Sequence, residues 1–429
     1  MSNSGPPGLL PPKKRKQWRM FMETRRRANR FRGGDRDYVP TRAVPRPDGR
    51  YDYVLVVSDE FVLPADRCTN ERHQALRRRC EDVTDANAEV NEGFRRFRGA
   101  AAAADDEDDA MPVYVAVVAG RIKGSPTAEV AQARPLPLTG EAGAHRPVVV
   151  VIDTGIDAAA IDGAGPRANQ RRDPWVDRVE LAGADPVHLD PLDVVEPLGS
   201  LDLGAGHGTF VAGMIAQVSH AARISMIRAC DSDGFASDEA IATAIRHAGA
   251  MFPEGRGVLN LSFGIDTIDD AEPAVIRSAL ASLPEDVVVV AAAGNVATGT
   301  PFWPAASPRV LAVGALNDDQ GATPAQWSNY GDWVDFSARG EGLSGPFVTG
   351  AETEGSGDDD DPFDPEPERF EGPDAYASWA GTSFATAQVS GLVARLLADD
   401  PTLSRDDVTT RLRAMGTPSD GHGYRLSIL

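Results

Sequence analysis

VVVVIDTGID, residues 148–157, is the stretch that decides the fold. Five consecutive β-branched residues, Val148 to Ile152, cannot alternate between a wet and a dry face. They predict a strand buried on both sides. A glycine turn follows at once and leaves Asp153 at the carboxyl end of that strand, where a partly buried carboxylate needs a partner. Similar apolar runs recur at ISMIRA (224–229), GVLNLSFG (257–264), VVVVAAAGN (287–295) and VLAVGAL (310–316). Helical segments are expected after His207, from Ser237 to Ala250 and after Ser383. Apolar strands spaced by helices predict an α/β fold: a doubly wound, mostly parallel sheet with helices on both faces. In such sheets reactive groups gather at the carboxyl ends of strands.

Two further segments place reactive groups beside glycine turns. AGHGTFVAGMIA (205–216) holds His207 between Gly206 and Gly208, and AGTSFATAQVSG (380–391) holds Ser383 at the start of a helical run. A serine hydroxyl is a poor nucleophile unless a base removes its proton. Imidazole is the side chain that titrates near neutral pH. A carboxylate bonded to the other ring nitrogen fixes the tautomer. Taken singly, Asp153 reads as a turn residue, His207 as a loop residue and Ser383 as a helix cap. Together, in the order Asp, His, Ser, they point to a nucleophilic triad. Asn295 follows another buried strand and offers a side-chain amide.

These segments resemble the subtilisin-like serine proteases, or subtilases, from roughly Pro147 to the C-terminus, and the order of the three residues is that family's. The resemblance implies that Ser383 is the nucleophile, His207 the base and Asp153 its orienting acid. It makes Asn295, with the Ser383 amide, the holder of the oxyanion. It also implies that a peptide binds as an added strand. Ser262, Phe263 and Gly264 then form one wall of the primary specificity pocket, and Ala293 and Gly294 the opposite wall. Gly234, in Asp233-Gly234-Phe235, belongs to a second clamping strand. Phe263 and the apolar walls point to a hydrophobic side chain before the scissile bond. Phe210 departs from the family, which usually has a second histidine there. No organic cofactor is implied. Structural Ca²⁺ is a family tendency, and Asp358 to Asp361 read either as a cation site or as a solvated run.

The formal charge of −21 sets most of the surface against nucleic acid and anionic membranes. Residues 1–50 are the exception: KKRKQWRM (13–20) and ETRRRANRFRGGDR (23–36) make a basic, disordered tail, the one part suited to nucleic acid or an acidic partner. Residues 51–135 read as a small α+β domain, propeptide-like or regulatory. Its strands are expected at YDYVLVV (51–57) and VYVAVVAG (113–120), with a helix-permissive stretch from Thr69 to Arg98 and a linker over Ala100–Asp109. Residues 147–429 form the peptidase-like domain, with an exposed acidic loop at 340–374. Cys68, Cys80 and Cys230 lack metal-ligand spacing and suit a reducing compartment. No signal peptide or membrane span is expected, so the protein reads as cytoplasmic. The expected function is a serine endopeptidase acting on a protein or peptide substrate. The alternatives are a catalytically silent binding scaffold, or a latent protease that a regulatory partner activates through the N-terminal region.

Overall fold

The computed structural model describes residues 41–45, 53–67, 74, 76, 78–82, 94–99, 110–118, 126–129, 145–158, 179–194, 198–317, 323–352, 368–372 and 375–429. The chain divides into two compact units, Met1–Val115 and Ala116–Leu429.

The first unit is built on antiparallel strands. Tyr53–Pro64 pairs with Thr41–Pro45, with Phe94–Gly99 and with the strand that starts at Met111. Cys80–Asp82 adds to the far edge of Phe94–Gly99. Gln74 and Leu76 are helical. Three expectations change here. Thr41–Pro45 belongs to a sheet, although the first 50 residues read as a tail. The helix-permissive stretch contains two strands, Cys80–Asp82 and Phe94–Gly99. The strand expected at 51–57 is described over Tyr53–Pro64, so it runs past its apolar core at the C-terminal end. The reason for the second change is non-local. Phe97 lies opposite Phe61, the rings stack at 5.5 Å, and Leu63 and Leu76 pack with them. A helix of FRRFR would have had too thin an apolar face. As a strand it buries Phe97, and Arg96 and Arg98 then reach the buried carboxylate of Glu60. The linker read at Ala100–Asp109 lies outside the described residues.

The second unit holds a nine-stranded sheet. Its spatial order is Thr417–Pro418, Tyr424–Arg425, Phe336–Arg339, Val310–Leu316, Val287–Ala292, Gly257–Leu261, Val148–Asp153, Arg223–Arg228 and Val179–Leu181. All neighbours are parallel except the terminal pair Thr417–Pro418 and Tyr424–Arg425. The described helices are His207–Val218, Asp238–Gly249, Ala274–Ala281, Thr382–Asp399 and Arg405–Met415. Every residue of Val148–Asp153 and of Val287–Ala292 is buried. Burying one such Val or Ile side chain contributes roughly 1.5–3 kcal/mol, so these strands anchor the core. The chain leaves Val148–Asp153 toward one edge and returns at Gly257–Leu261 to build the other. The order therefore reverses between these two strands, and the carboxyl ends of strands at such a reversal are where open α/β sheets place their ligand sites.

The acidic segment 340–374 is structured at its ends. Leu343–Pro346 pairs with Tyr376–Trp379, Gly350–Ala351 pairs with Arg369–Phe370, and Leu343, Phe347, Val348 and Phe370 join the core. The few apolar residues in that stretch outweigh its charge. Asp358–Asp361 lie outside the described residues. No described helix is long and apolar enough to cross a membrane.

Candidate active site

Asp153 ends the strand Val148–Asp153 and His207 opens a helix, and the two side chains meet. Asp153 Oδ1 lies 2.7 Å from His207 Nδ1, with both side chains completely buried. The Thr154 amide donates to the same oxygen at 2.8 Å. His207 Nε2 is buried and has no hydrogen-bond partner among the described residues. The imidazole ring is confined by Phe384, at 5.4 Å between centroids, and by Trp379, T-shaped to it at 5.5 Å between centroids. Phe210 completes this aromatic cluster, 4.5 Å from Phe384, which is where the departure from the family's second histidine is accommodated.

Ser383 is the second residue of the helix Thr382–Asp399, where backbone N–H groups have no acceptor within the helix. Its hydroxyl donates to the Ser262 carbonyl at 3.0 Å, and the Ser262 hydroxyl donates back to the Ser383 carbonyl at 3.1 Å. The Ser383 hydroxyl is thus bonded to Ser262 and not to His207. Asn295 stands beside this helix start. Its Oδ1 accepts from the Thr382 amide at 3.0 Å and from the Thr382 hydroxyl at 2.8 Å. The amide is thereby oriented with Nδ2 buried and unpartnered among the described residues. An imidazole with one unused nitrogen, a hydroxyl at a helix N-terminus and an unused buried amide are the parts that acyl transfer requires.

Phe263 and Gly264, expected at the substrate edge, are paired within the chain. Phe263–Gly264 forms a short strand, and Val118 and Val117 lie antiparallel to it, opposite Phe263 and Gly264 respectively. Val118 also donates its N–H to the Gly234 carbonyl at 2.9 Å. Gly234 and Phe263–Gly264 therefore flank one extended segment, as a clamp of two strands does. Ala293 and Gly294 follow the strand Val287–Ala292, and the Gly294 amide donates to the Thr382 hydroxyl oxygen at 3.1 Å.

The family model described as the subtilase family matches residues 144–415. The chain belongs to the subtilase family. It is 32% identical over 260 residues to a thermophilic serine proteinase of Bacillus sp. (strain AK1), covering 58% of this chain and 51% of that protein. It is 29% identical over 227 residues to subtilisin NAT of Bacillus subtilis subsp. natto, covering 50% and 51%. The chain spans about half the length of the curated relatives it matches. Among solved structures, a cold-adapted subtilisin-like serine proteinase covers 69% of this chain and 97% of its own, at 20% identity and a TM-score of 0.46.

Several residues of this subtilase site carry no motif that a sequence reading picks out. Asp190 is buried behind His207. Its Oδ2 accepts the Gly206 N–H at 2.8 Å and the Thr154 hydroxyl at 3.4 Å, and its Oδ1 accepts the Leu192 N–H at 3.1 Å. Thr154 Oγ1 in turn accepts the Gly208 N–H at 3.2 Å. The amides on either side of His207 are thereby pinned to groups next to Asp153. Burial pushes the Asp190 carboxyl up to about 7. The Gly206 and Leu192 amides oppose that rise, and the nearby Asp157 and Asp153 add to it. Gly208 must be glycine, because a Cβ there would sit 2.1 Å from the Gly155 carbonyl oxygen. Asn329 shapes the loop after Asn295: its Nδ2 donates to the Ala293 carbonyl at 2.8 Å, and its Oδ1 accepts from the amides of Val296 and Thr298. Asp190 and Asn329 lie well apart along the chain from the motifs they serve, so only folding reveals them. Among the described residues, no group of three or more His, Cys, Asp or Glu is placed to hold a metal ion.

Proposed function

We propose that this chain is a serine endopeptidase. Ser383 Oγ leaves the Ser262 carbonyl and attacks the carbonyl carbon of a bound peptide, while His207 Nε2 takes its proton. Asp153 holds Nδ1–H and stabilises the imidazolium that forms. The oxyanion accepts hydrogen bonds from Asn295 Nδ2 and from the Ser383 amide. His207 then gives its proton to the leaving amine, the C–N bond breaks, and an acyl-enzyme remains on Ser383. Water, deprotonated by His207, hydrolyses the ester and restores the hydroxyl. The observation that supports this most directly is the 2.7 Å contact of Asp153 with His207 Nδ1, which leaves Nε2 for the serine proton. A fluorophosphonate probe tests it. Labelling of the wild type and not of Ser383→Ala is expected. An unlabelled wild type, with the substrate edge open, would leave only the silent scaffold.

We further read this form as latent. The substrate edge already carries Val117 and Val118, and both His207 and Ser383 have no solvent exposure. N-terminal sequencing of the purified protein beside Ser383→Ala tests this. A processed product in the wild type alone is expected; full-length wild type with undiminished turnover would contradict latency. A protein or peptide is the substrate, and a regulatory protein that releases the edge is the partner this reading calls for. A cytoplasmic setting forms part of the same proposal, supported by Cys80 and Cys230, both buried as thiols.

A further inference from the structure

The two walls expected to enclose the primary specificity pocket do not face an open space. The ring of Phe302 lies between them. A Cβ on Gly264 would fall 1.9 Å from Phe302 Cε1, and one on Gly294 would fall 3.0 Å from Phe302 Cδ1. Both walls are glycine at the level of the ring, so the ring rests against backbone on each side. Its place is held by backbone pairing one residue further along each segment. The Ile265 amide donates to the Trp303 carbonyl at 2.7 Å, and the Trp303 amide donates back at 3.0 Å. Phe302 itself is buried, and its carbonyl accepts the Ala306 amide at 2.9 Å.

The direction of a bound chain follows from the register of Val117 and Val118. That segment runs from Gly264 toward Phe263, so a peptide in the same register reaches Ser262 next, whose carbonyl accepts the Ser383 hydroxyl. A peptide lying in the same direction presents, opposite Ser262, the residue whose carbonyl Ser383 attacks. Its side chain enters the gap between the walls, and there it meets the Phe302 ring. We propose that Phe302 closes this pocket and restricts cleavage to bonds that follow Gly, Ala or Ser. This rests on the endopeptidase reading and replaces the hydrophobic preference expected from Phe263 and the apolar walls. A leucine or phenylalanine would need the ring to move out of a site packed on both faces.

The test uses the full chain and peptides of the form Ala-Val-Val-X, with X as Gly, Ala, Leu or Phe. It is run in the wild type and in a Val117→Pro background, which puts a residue without an N–H opposite Gly264 and loosens the pairing that covers the edge. For X-p-nitroanilides, kcat/KM for Ala is expected to exceed that for Phe by about 100-fold, a discrimination of the size that pocket fit supplies. Phe302→Gly is expected to raise the relative rate on Phe by at least tenfold, and Phe302→Leu serves if the glycine variant does not fold. Measurable rates on Ala and Phe that are equal in either background would overturn the proposal. Calorimetric binding of the free acids Ala-Val-Val-Ala and Ala-Val-Val-Phe to Ser383→Ala gives a readout without chemistry. If fluorophosphonate labelling fails but the Ala peptide binds more tightly, the endopeptidase reading falls and the closed pocket stands. If labelling succeeds and the Phe peptide binds as tightly as the Ala peptide, the closed pocket falls alone.

Discussion

Replacing Asp190 by asparagine should change how stability depends on pH. The carboxyl lies in a buried pocket between Gly206, Leu192 and Thr154, with Asp157 and Asp153 close by. Its pKa is pushed up to about 7 from an ordinary 3.8. The folded protein therefore keeps a proton that the unfolded chain has released across the window between those values. Stability falls as pH rises through this window, because unfolding releases that proton. One pKa unit corresponds to about 1.4 kcal/mol, so the full window of roughly three units amounts to up to about 4 kcal/mol. An asparagine at this position cannot ionise and removes the slope. Its side-chain amide keeps an acceptor for Gly206 but leaves one donor contact poorly matched, at a cost of about 1–3 kcal/mol that does not vary with pH. The Asp190→Asn variant should thus be the less stable protein at pH 4.5, and should gain on the reference by several kcal/mol by pH 8. Urea unfolding followed by tryptophan fluorescence, in a Ser383→Ala background to prevent self-digestion, measures both curves. A stability difference constant to within about 1 kcal/mol from pH 4.5 to 8 would refute the reasoning.

Other substitutions separate chemistry from scaffolding. Asn295→Leu removes the proposed oxyanion donor Nδ2, together with the Oδ1 that accepts from Thr382, so kcat should fall by at least about 10²–10³-fold with little change in KM, measured on Ala-Val-Val-Ala-p-nitroanilide. Gly208→Ala drives a methyl group into the Gly155 carbonyl and must displace the start of the histidine helix. Activity should fall at least tenfold, and fluorophosphonate labelling should slow with it. Asn329→Ala removes the donor to the Ala293 carbonyl and the oxygen that accepts from the amides of Val296 and Thr298. The unfolding free energy should drop by about 1–3 kcal/mol, read from the urea midpoint at unchanged slope.

Much of the fold is local in origin. Five β-branched residues in a row, Val148 to Ile152, fit only a doubly buried strand, and repetition of that pattern along the chain implies the parallel sheet. The helix beginning at His207 and the one capped by Ser237 are legible in the same local way: Ser237 accepts the Ala240 amide, and acidic residues fill the first turn. The Phe94–Gly99 strand is not legible, since Phe97 becomes buried only when Phe61, 36 residues earlier, lies across from it. The buried ends of the acidic segment are hidden by composition, because a few apolar residues decide packing while many charges stay in water.

At the site, residue chemistry and order suffice to nominate Asp153, His207, Ser383 and Asn295. Hydroxyl, imidazole, carboxylate and amide each have a distinct reactivity that a motif preserves. Sequence alone could not reveal Asp190 bracing the histidine turn, Asn329 shaping the loop beyond Asn295, or the Phe302 ring between two glycines. These depend on distances between segments far apart along the chain. Whether a phenylalanine lines a pocket or fills it is settled by ångströms of packing, which no local pattern of residues encodes.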